Sequence, residues 1–452
     1  MPKTFKTALL PRIQSREAKV CVVGLGYVGL PLSMAIARAG HPVVGVDLDA
    51  KTVQTVNKGR SHFEGIDDAE LASLVKDGRL VATSDFDDAA ECQVAVIAVP
   101  TPIDEYRLPD LSHVRGAVQE LARRAKPGML VVLESTTYPG TTEEVVLPEF
   151  RAQGLVPGRD VFVAYSPERI DPGNETWTLA NTPKIVSGFS SDCLELAMNF
   201  YGGFVQNLVA VSNLRTAEIT KLFENIFRCV NIALVNEFQQ ICDGFGIDVW
   251  EVIAACSTKP YGYMPFYPGP GLGGHCVPVD PFYLAWKARE KRLSTEFIEL
   301  AGRVNSNMPA YVVGKVAALL NSRRKSLNGA RVALIGVAYK KNSSDVRESP
   351  AVRLIELLQE QGAVVSYHDP HVPGLEALGL RSHPLTGEFL AAQDCAIVTT
   401  DHDAIDWGLV LQFSPIVLDT RNALGRLSSG TRLTGGLVID EFTDPMTTTD
   451  RV

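Results

Sequence analysis

Apolar positions along the chain fall into two registers. Short apolar runs at Val20–Val23, Pro42–Val46, 92–102, 128–137 and 160–170 are each closed by glycine, small or polar residues. Runs of that length bounded by turn residues predict strands buried on both faces, as in a parallel sheet with helices between them. From Ser212 to Phe245 the pattern changes. That stretch has no proline, and Leu214, Leu222, Ile226, Val230, Leu234 and Ile241 recur at helical intervals. It predicts one helix roughly 50 Å long, with Ser212 or Asn213 as N-cap and Gly244 or Gly246 as the stop. Beyond the polar linker NSRRKSLNGA the order strand, loop, helix, strand returns in RVALIGVAYKKNSSDVRESPAVRLIELLQEQGAVVSYHDP, followed by CAIVTT and PIVLDTRN. The expected fold is α/β, with two such domains joined by a long central helix that belongs to a small helical domain.

The first turn of the first domain sharpens this picture. Gly24, Gly26 and Gly29 follow strand Val20–Val23 in the spacing G-x-G-x-x-G, around Tyr27 and Val28, and the next strand ends at Asp47. Glycines there permit a tight turn and a close approach of pyrophosphate to a helix N-terminus, while the acid holds a ribose. A carboxylate at that point disfavours a 2′-phosphate, so NAD is expected rather than NADP. The domain is thus predicted to be Rossmann-like. Thr101, Thr136 and Glu168 close the next three strands, and ligands of open α/β sheets lie at that edge, so these residues are expected near the nicotinamide.

Three further groups stand out. Lys221 and Asn225 are four apart on the long helix, hence on one face, beside Leu222 and Ile226. In the second α/β half, Lys340, Lys341, Asp345 and Arg347 precede a helix that starts at Ser349–Pro350, and Asp401 and Arg421 end two later strands. Cations near a helix N-terminus suit a phosphorylated group. Finally, GPGLGGHCVPVD (269–280) places Cys276 in a loop nearly bare of side chains. A thiolate beside a nicotinamide can add to an aldehyde, and the thiohemiacetal can lose a second hydride to become a thioester. Two other readings stay open on these residues: a two-electron hydroxyacid dehydrogenase in which Cys276 is incidental, and an NAD-binding sensor without turnover.

The bulk properties narrow the partners. The chain has 452 residues, 46% of them hydrophobic, with a mean hydropathy of +0.06, a formal net charge of −9 and a pI near 5.5. That charge argues against nucleic acid or an anionic membrane as the main partner. No apolar run approaches the ~20 residues of a membrane span, and the first residues lack a signal-peptide core. Eight cysteines without CxxC spacing suggest neither a metal site nor a disulfide framework. The expected location is the cytoplasm.

Seven stretches in order carry a resemblance over nearly the whole chain: GLGYVGLPL, VPTP, ESTTYPGTTEE, SPERIDPGN, EITKLFENIFRCVNIALVNE, GPGLGGHCVPVDP and GVAYKKNSSDVRESP. They resemble the UDP-glucose/GDP-mannose dehydrogenase family of UDP-sugar 6-dehydrogenases. The resemblance implies a NAD-binding domain at 1–210, a central helical domain with the cysteine loop at 211–310 that serves dimerisation, and a UDP-binding domain at 311–452. It implies oxidation of a UDP-sugar at C6 to the uronic acid, with two NAD per turnover, in a homodimer or higher homo-oligomer. Cys276 would be the nucleophile, with Lys221 and Asn225 at the oxyanion, Asp280 and Thr136 placing a water, and Glu168 assisting thioester hydrolysis. Gly24, Gly26, Tyr27, Val28, Gly29, Asp47, Thr101, Thr136 and Arg347 would contact the cofactor. Glu168, Arg169, Lys221, Asn225, Tyr267, Gly273, Tyr339, Lys340 and Arg421 would contact the substrate. The loop YGYMPFYPGPGLGGHCVPVDPFYLAWKARE is most similar to that of UDP-N-acetylglucosamine enzymes, and UDP-glucose enzymes usually carry lysine where this chain has Val279. UDP-N-acetylglucosamine is therefore the expected substrate, with the N-acetylmannosamine, N-acetylgalactosamine and glucose nucleotides as alternatives.

Overall fold

The computed structural model describes residues 5–63, 65–104, 108–170, 174, 176–274, 277–425 and 437–438. His275 and Cys276 lie outside the described residues. By internal packing the chain divides into two compact units, Met1–Ile226 with Val279–Thr295, and Phe227–Pro278 with Glu296–Val452.

The first unit is built on a sheet of eight strands: β1 (Val20–Val23), β2 (Val43–Val46), β3 (Leu80–Thr83), β4 (Val94–Ile97), β5 (Met129–Leu133), β6 (Val161–Tyr165), β7 (Lys184–Gly188) and β8 (Leu208–Ala210). Their order is β3-β2-β1-β4-β5-β6-β7-β8. The first six are parallel and follow the order of dinucleotide-binding sheets. β7 runs antiparallel to β6. Alternate residues feed two cores: Val20, Val22, Val94 and Val96 pack on one face, Cys21, Val23, Ala95 and Ile97 on the other. That two-sided burial is why the strands read as unbroken apolar runs. β1 matches its run, whereas β4, β5 and β6 are shorter than theirs, because the segments after Ile97, Leu133 and Tyr165 leave the ladder at the carboxyl edge.

The second unit holds β9 (Arg331–Ile335), β10 (Val364–His368), the short antiparallel pair β11 (Gly374–Leu375) and β12 (Leu380–Arg381), then β13 (Cys395–Val398), β14 (Val417–Asp419) and β15 (Leu437–Val438). Its sheet runs β10-β9-β13-β14-β15, parallel except at β15. The chain is thus α/β twice over, with the long helix Leu214–Phe245 and a second one, Glu296–Ser322, between the sheets in sequence.

The long helix begins where Asn213 Oδ1 accepts the Thr216 amide at 2.9 Å, and ends at Gly246 with φ +67°, so Asn213 and Gly246 serve as the boundaries. Leu214, Leu222 and Ile226 are buried as the periodicity predicts. Leu234 and Ile241 are not: they are 63% and 46% exposed and join Phe223, Phe227, Phe238 and Phe245 on an open face. The helix carries two apolar stripes, and intervals of three and four do not say which stripe meets the core.

Candidate active site

The glycine turn after β1 is shaped for a ligand. Gly24 has φ +93°, and a Cβ there would lie 2.7 Å from Ala98 O. A Cβ on Gly29 would lie 1.7 Å from Gly24 O, so helix Gly29–Arg38 can approach the turn only without a side chain. A Cβ on Gly26 would meet nothing within 4 Å. The turn is therefore closed by protein at two glycines and open at the third. Val28 provides no side-chain cap, which leaves the helix N-terminus available to an anion. Asp47 Oδ2 accepts the Leu25 amide at 2.8 Å, fixing the carboxylate beside the turn at the end of β2. Tyr27 stacks on Phe63 with ring centroids 4.3 Å apart. These residues fit NAD: the open side of Gly26 would leave room for its pyrophosphate, and Asp47 would hold its ribose.

The same unit gathers polar groups at the carboxyl edge of β4, β5 and β6. Ile97, Leu133 and Tyr165 are register partners across those strands, so the segments that carry Thr101, Thr136 and Glu168 leave the sheet side by side. Tyr283 donates to Pro102 O at 3.0 Å and holds the Thr101 segment. On the long helix Lys221 and Asn225 are buried, at 8% and 0% exposure, and so are not part of a solvated polar stripe. Asn225 Nδ2 donates to the buried carboxylate of Asp280. Glu218, one turn before Lys221, accepts the Gly140 amide at 2.5 Å and the Thr142 amide at 2.9 Å, pinning the segment just after Thr136. Burial pushes the Glu218 carboxyl up against those amides, which pull it down. Arg169 donates to Pro183 O at 2.6 Å and pairs with Glu224 on the long helix at 2.7 Å.

Glu168 has a partner that sequence reasoning missed. Lys184 Nζ stands 3.3 Å from Glu168 Oε2 and 3.2 Å from Glu134 Oε2, and Tyr201 donates to Glu134 Oε1. Glu168 Oε1 also accepts the amides of Arg169 and Ile170 at 2.7 and 2.6 Å. Burial, which opposes ionisation, is outweighed at Glu168 by Lys184 and these amides, so its carboxyl stays below the usual range. At Glu134 burial wins, helped by the Glu168 charge, and its carboxyl is pushed up to about 7. Only the place of Glu134 directly after the apolar run 129–133 hinted at a role. Nothing local marks Lys184, Glu218 or Tyr283.

In the second unit the glycine loop closes on segments that follow strands β9 and β14 of the second sheet. A Cβ on Gly273 would sit 2.5 Å from Tyr339 Cβ, and one on Gly269 would sit 2.6 Å from Arg421 Nη1. Gly274, at φ +81°, donates to Arg347 O at 3.1 Å. The bare loop is thus explained first by the chain's own Tyr339 and Arg421, before any ligand arrives. Arg421 Nε donates to Thr399 O at 2.9 Å, and the Arg347 guanidinium is gripped by Asp345 at 2.5–3.0 Å. Tyr267 stacks on Trp250 at 5.7 Å and 14° while remaining 55% exposed, whereas its neighbour Phe266 packs against the small core of Val235, Cys242, Val249 and Ile253.

Comparisons with known proteins cover most of the chain. Family models of the UDP-glucose/GDP-mannose dehydrogenases match at 18–205 (NAD binding domain), 215–307 (central domain) and 333–426 (UDP binding domain). A UDP-N-acetyl-D-mannosamine dehydrogenase of Methanococcus maripaludis is 36% identical over 421 residues, 90% of this chain and 93% of that one. A UDP-N-acetyl-D-glucosamine 6-dehydrogenase of Pseudomonas aeruginosa is 37% identical over 365 residues, 80% of this chain and 85% of that one. The solved structure of a UDP-D-ManNAc dehydrogenase from Pyrococcus horikoshii superposes with a TM-score of 0.83 at 33% identity, covering 90% of this chain and 96% of that one. Among the described residues no helix is long and apolar enough to cross a membrane. With the nucleotide-binding turn, the buried polar edge and all three family domains in place, the chain belongs to the UDP-glucose/GDP-mannose dehydrogenase family and is an NAD-dependent UDP-sugar dehydrogenase.

Proposed function

We propose that this enzyme oxidises the C6 hydroxyl of a UDP-2-acetamido sugar by four electrons to the uronic acid, with Cys276 as nucleophile. The observation that carries this reading is the burial of Lys221 and Asn225 one helical turn apart, with Asn225 bonded to Asp280, four residues beyond Cys276. A solvated stripe has no use for such an arrangement, whereas an oxyanion needs fixed donors in a dry site. The chemistry supplied by bound NAD is hydride acceptance, once from the alcohol and once from the thiohemiacetal. The Cys276 thiolate adds to the aldehyde carbon, and Lys221 and Asn225 face the oxygen that becomes negative. After the second oxidation the carbon is a thioester. A water placed by Asp280 and Thr136 attacks it, one water proton passes to Glu168, and the Cys276 thiolate leaves. Tyr339, Lys340 and Arg421, with Tyr267, Gly273 and Arg169, take the UDP-sugar, and Thr101 and Arg347 complete the cofactor contacts.

UDP-N-acetylglucosamine is the sugar favoured by the cysteine loop, and buried Val279, where glucose enzymes usually carry lysine, supports an acetamido sugar over glucose. The Methanococcus and Pyrococcus relatives favour a second reading, the N-acetylmannosamine epimer. We assign 211–310 to the helical domain, whose open apolar stripe supports homodimerisation. The test is NADH formed per sugar consumed, with both epimers and excess NAD. Two NADH and a uronic acid are expected, and Cys276→Ala should bind NAD and UDP-sugar without making acid. One NADH with aldehyde left over, or four-electron turnover by Cys276→Ala, overturns the mechanism. Turnover confined to one epimer decides the substrate.

A further inference from the structure

The cluster around Lys184 is expensive to bury. Two carboxylates share one ammonium with almost no solvent: Lys184 is 5% exposed and Glu134 is 1% exposed. Buried ion pairs seldom stabilise a fold more than apolar residues of the same size, so stability alone is a poor reason for one with an unmatched acid. Its position suggests another. β6 and β7 pair antiparallel with Ala164 opposite Gly188 and Tyr165 opposite Ser187, and this register, carried three residues on, sets Glu168 opposite Lys184. Glu134 follows Leu133, the register partner of Tyr165. The strands therefore bring both charged partners to Glu168 at the edge where the reaction is assigned.

We propose that Lys184 and Glu134 are positioning residues for the hydrolytic half-reaction, holding the Glu168 carboxylate ionised and aimed so that it can take the proton of the attacking water. The inference rests on the role given to Glu168 above. Lys184 fixes one oxygen and the Arg169 and Ile170 amides the other, so rotation of the carboxylate breaks bonds on both sides. Glu134, bonded to Tyr201, takes up the residual proton of the pair, which leaves Glu168 the charged member near neutrality. The other groups around the cluster are the phenol of Tyr165, and Arg169, whose guanidinium is committed to Glu224 and Pro183 O.

The test follows the pH profile of acid release beside the rate of the first oxidation and the affinity for NAD. Lys184→Met should move the acid limb of acid release upward by about one pH unit or more, leaving the first oxidation and NAD affinity within about twofold. Lys184→Arg should restore the limb, and Glu134→Gln, which puts a neutral amide where a protonated acid stood, should leave it in place. An infrared pH titration of the cofactor-free protein should show a protonated carboxyl band near neutrality that Glu134→Gln removes. An unmoved limb in Lys184→Met, a limb moved by about one pH unit in Glu134→Gln, or equal losses in the first oxidation and in acid release, overturns the inference. Should Lys184→Met fail to fold, Lys184→Gln takes its place, and an unmoved limb there overturns the inference. Glu168→Gln separates the two layers. Acid release at the normal rate overturns the role of Glu168 and the inference with it, whereas blocked release with an unmoved limb in the Lys184 variant overturns the inference only.

Discussion

Gly26 and Gly29 belong to one motif, yet the structure predicts opposite consequences for Gly26→Ala and Gly29→Ala. The Cβ of Gly29→Ala would lie 1.7 Å from Gly24 O, about half a van der Waals separation, and the obstacle is backbone. Helix Gly29–Arg38 must move off the turn, at a cost of about 1–3 kcal/mol, typical of overpacking, with loss of the nucleotide site as well. The Cβ of Gly26→Ala would meet no protein atom within 4 Å, and Gly26 is not at positive φ, so the fold should tolerate it. What it fills is the space assigned to pyrophosphate. Displacing a phosphate from one amide donor costs about 1.5–3 kcal/mol, a loss of about 10–100-fold in NAD affinity. Thermal melting and calorimetric titration with NAD separate the two outcomes. Gly26→Ala should melt near the wild-type temperature and bind NAD weakly, whereas Gly29→Ala should lose both. Wild-type NAD affinity in Gly26→Ala, or equal destabilisation of the two variants, would refute the reasoning.

Three other perturbations follow from the packing. Leu234→Asp places a charge on the open stripe of the long helix, and in a symmetric dimer the change occurs twice. Losing about 2 kcal/mol of burial per copy predicts a dimer about 1,000-fold weaker, to be read by light scattering. Asn213→Ala removes the cap of that helix and should cost about 1 kcal/mol in chemical denaturation. Glu134 holds its proton in the folded state up to about 7, whereas the unfolded chain releases it in the ordinary carboxylate range. Its contribution to stability is therefore full at low pH and falls as pH rises to 7, by at most about 3 kcal/mol. Glu134→Gln should flatten that part of the stability–pH curve in urea melts, and an unchanged slope would count against the buried proton.

Much of this protein was legible as sequence because the deciding forces act locally. Strands buried on both faces must be continuously apolar, so β1, β4, β5 and β6 declared themselves. The turn at Gly24 and Gly29 needs backbone without side chains, and Asp47 follows at the distance one strand and one helix impose. Lys221 and Asn225 share a face by helical geometry alone. The sequence could not determine which apolar stripe of the long helix is covered, because buried Ile226 and exposed Leu234 and Ile241 all fall at the same helical intervals. Nor could it join Lys184 to Glu134, fifty residues away. Such a pair arises from strand order and register, and these follow from how whole layers pack. Even the glycine loop had a second cause, since Tyr339 and Arg421 come from a sheet formed more than sixty residues later. Local sequence sets which backbone shapes are allowed, and only the tertiary structure, by bringing distant charges out of water together, decides which of them ionise.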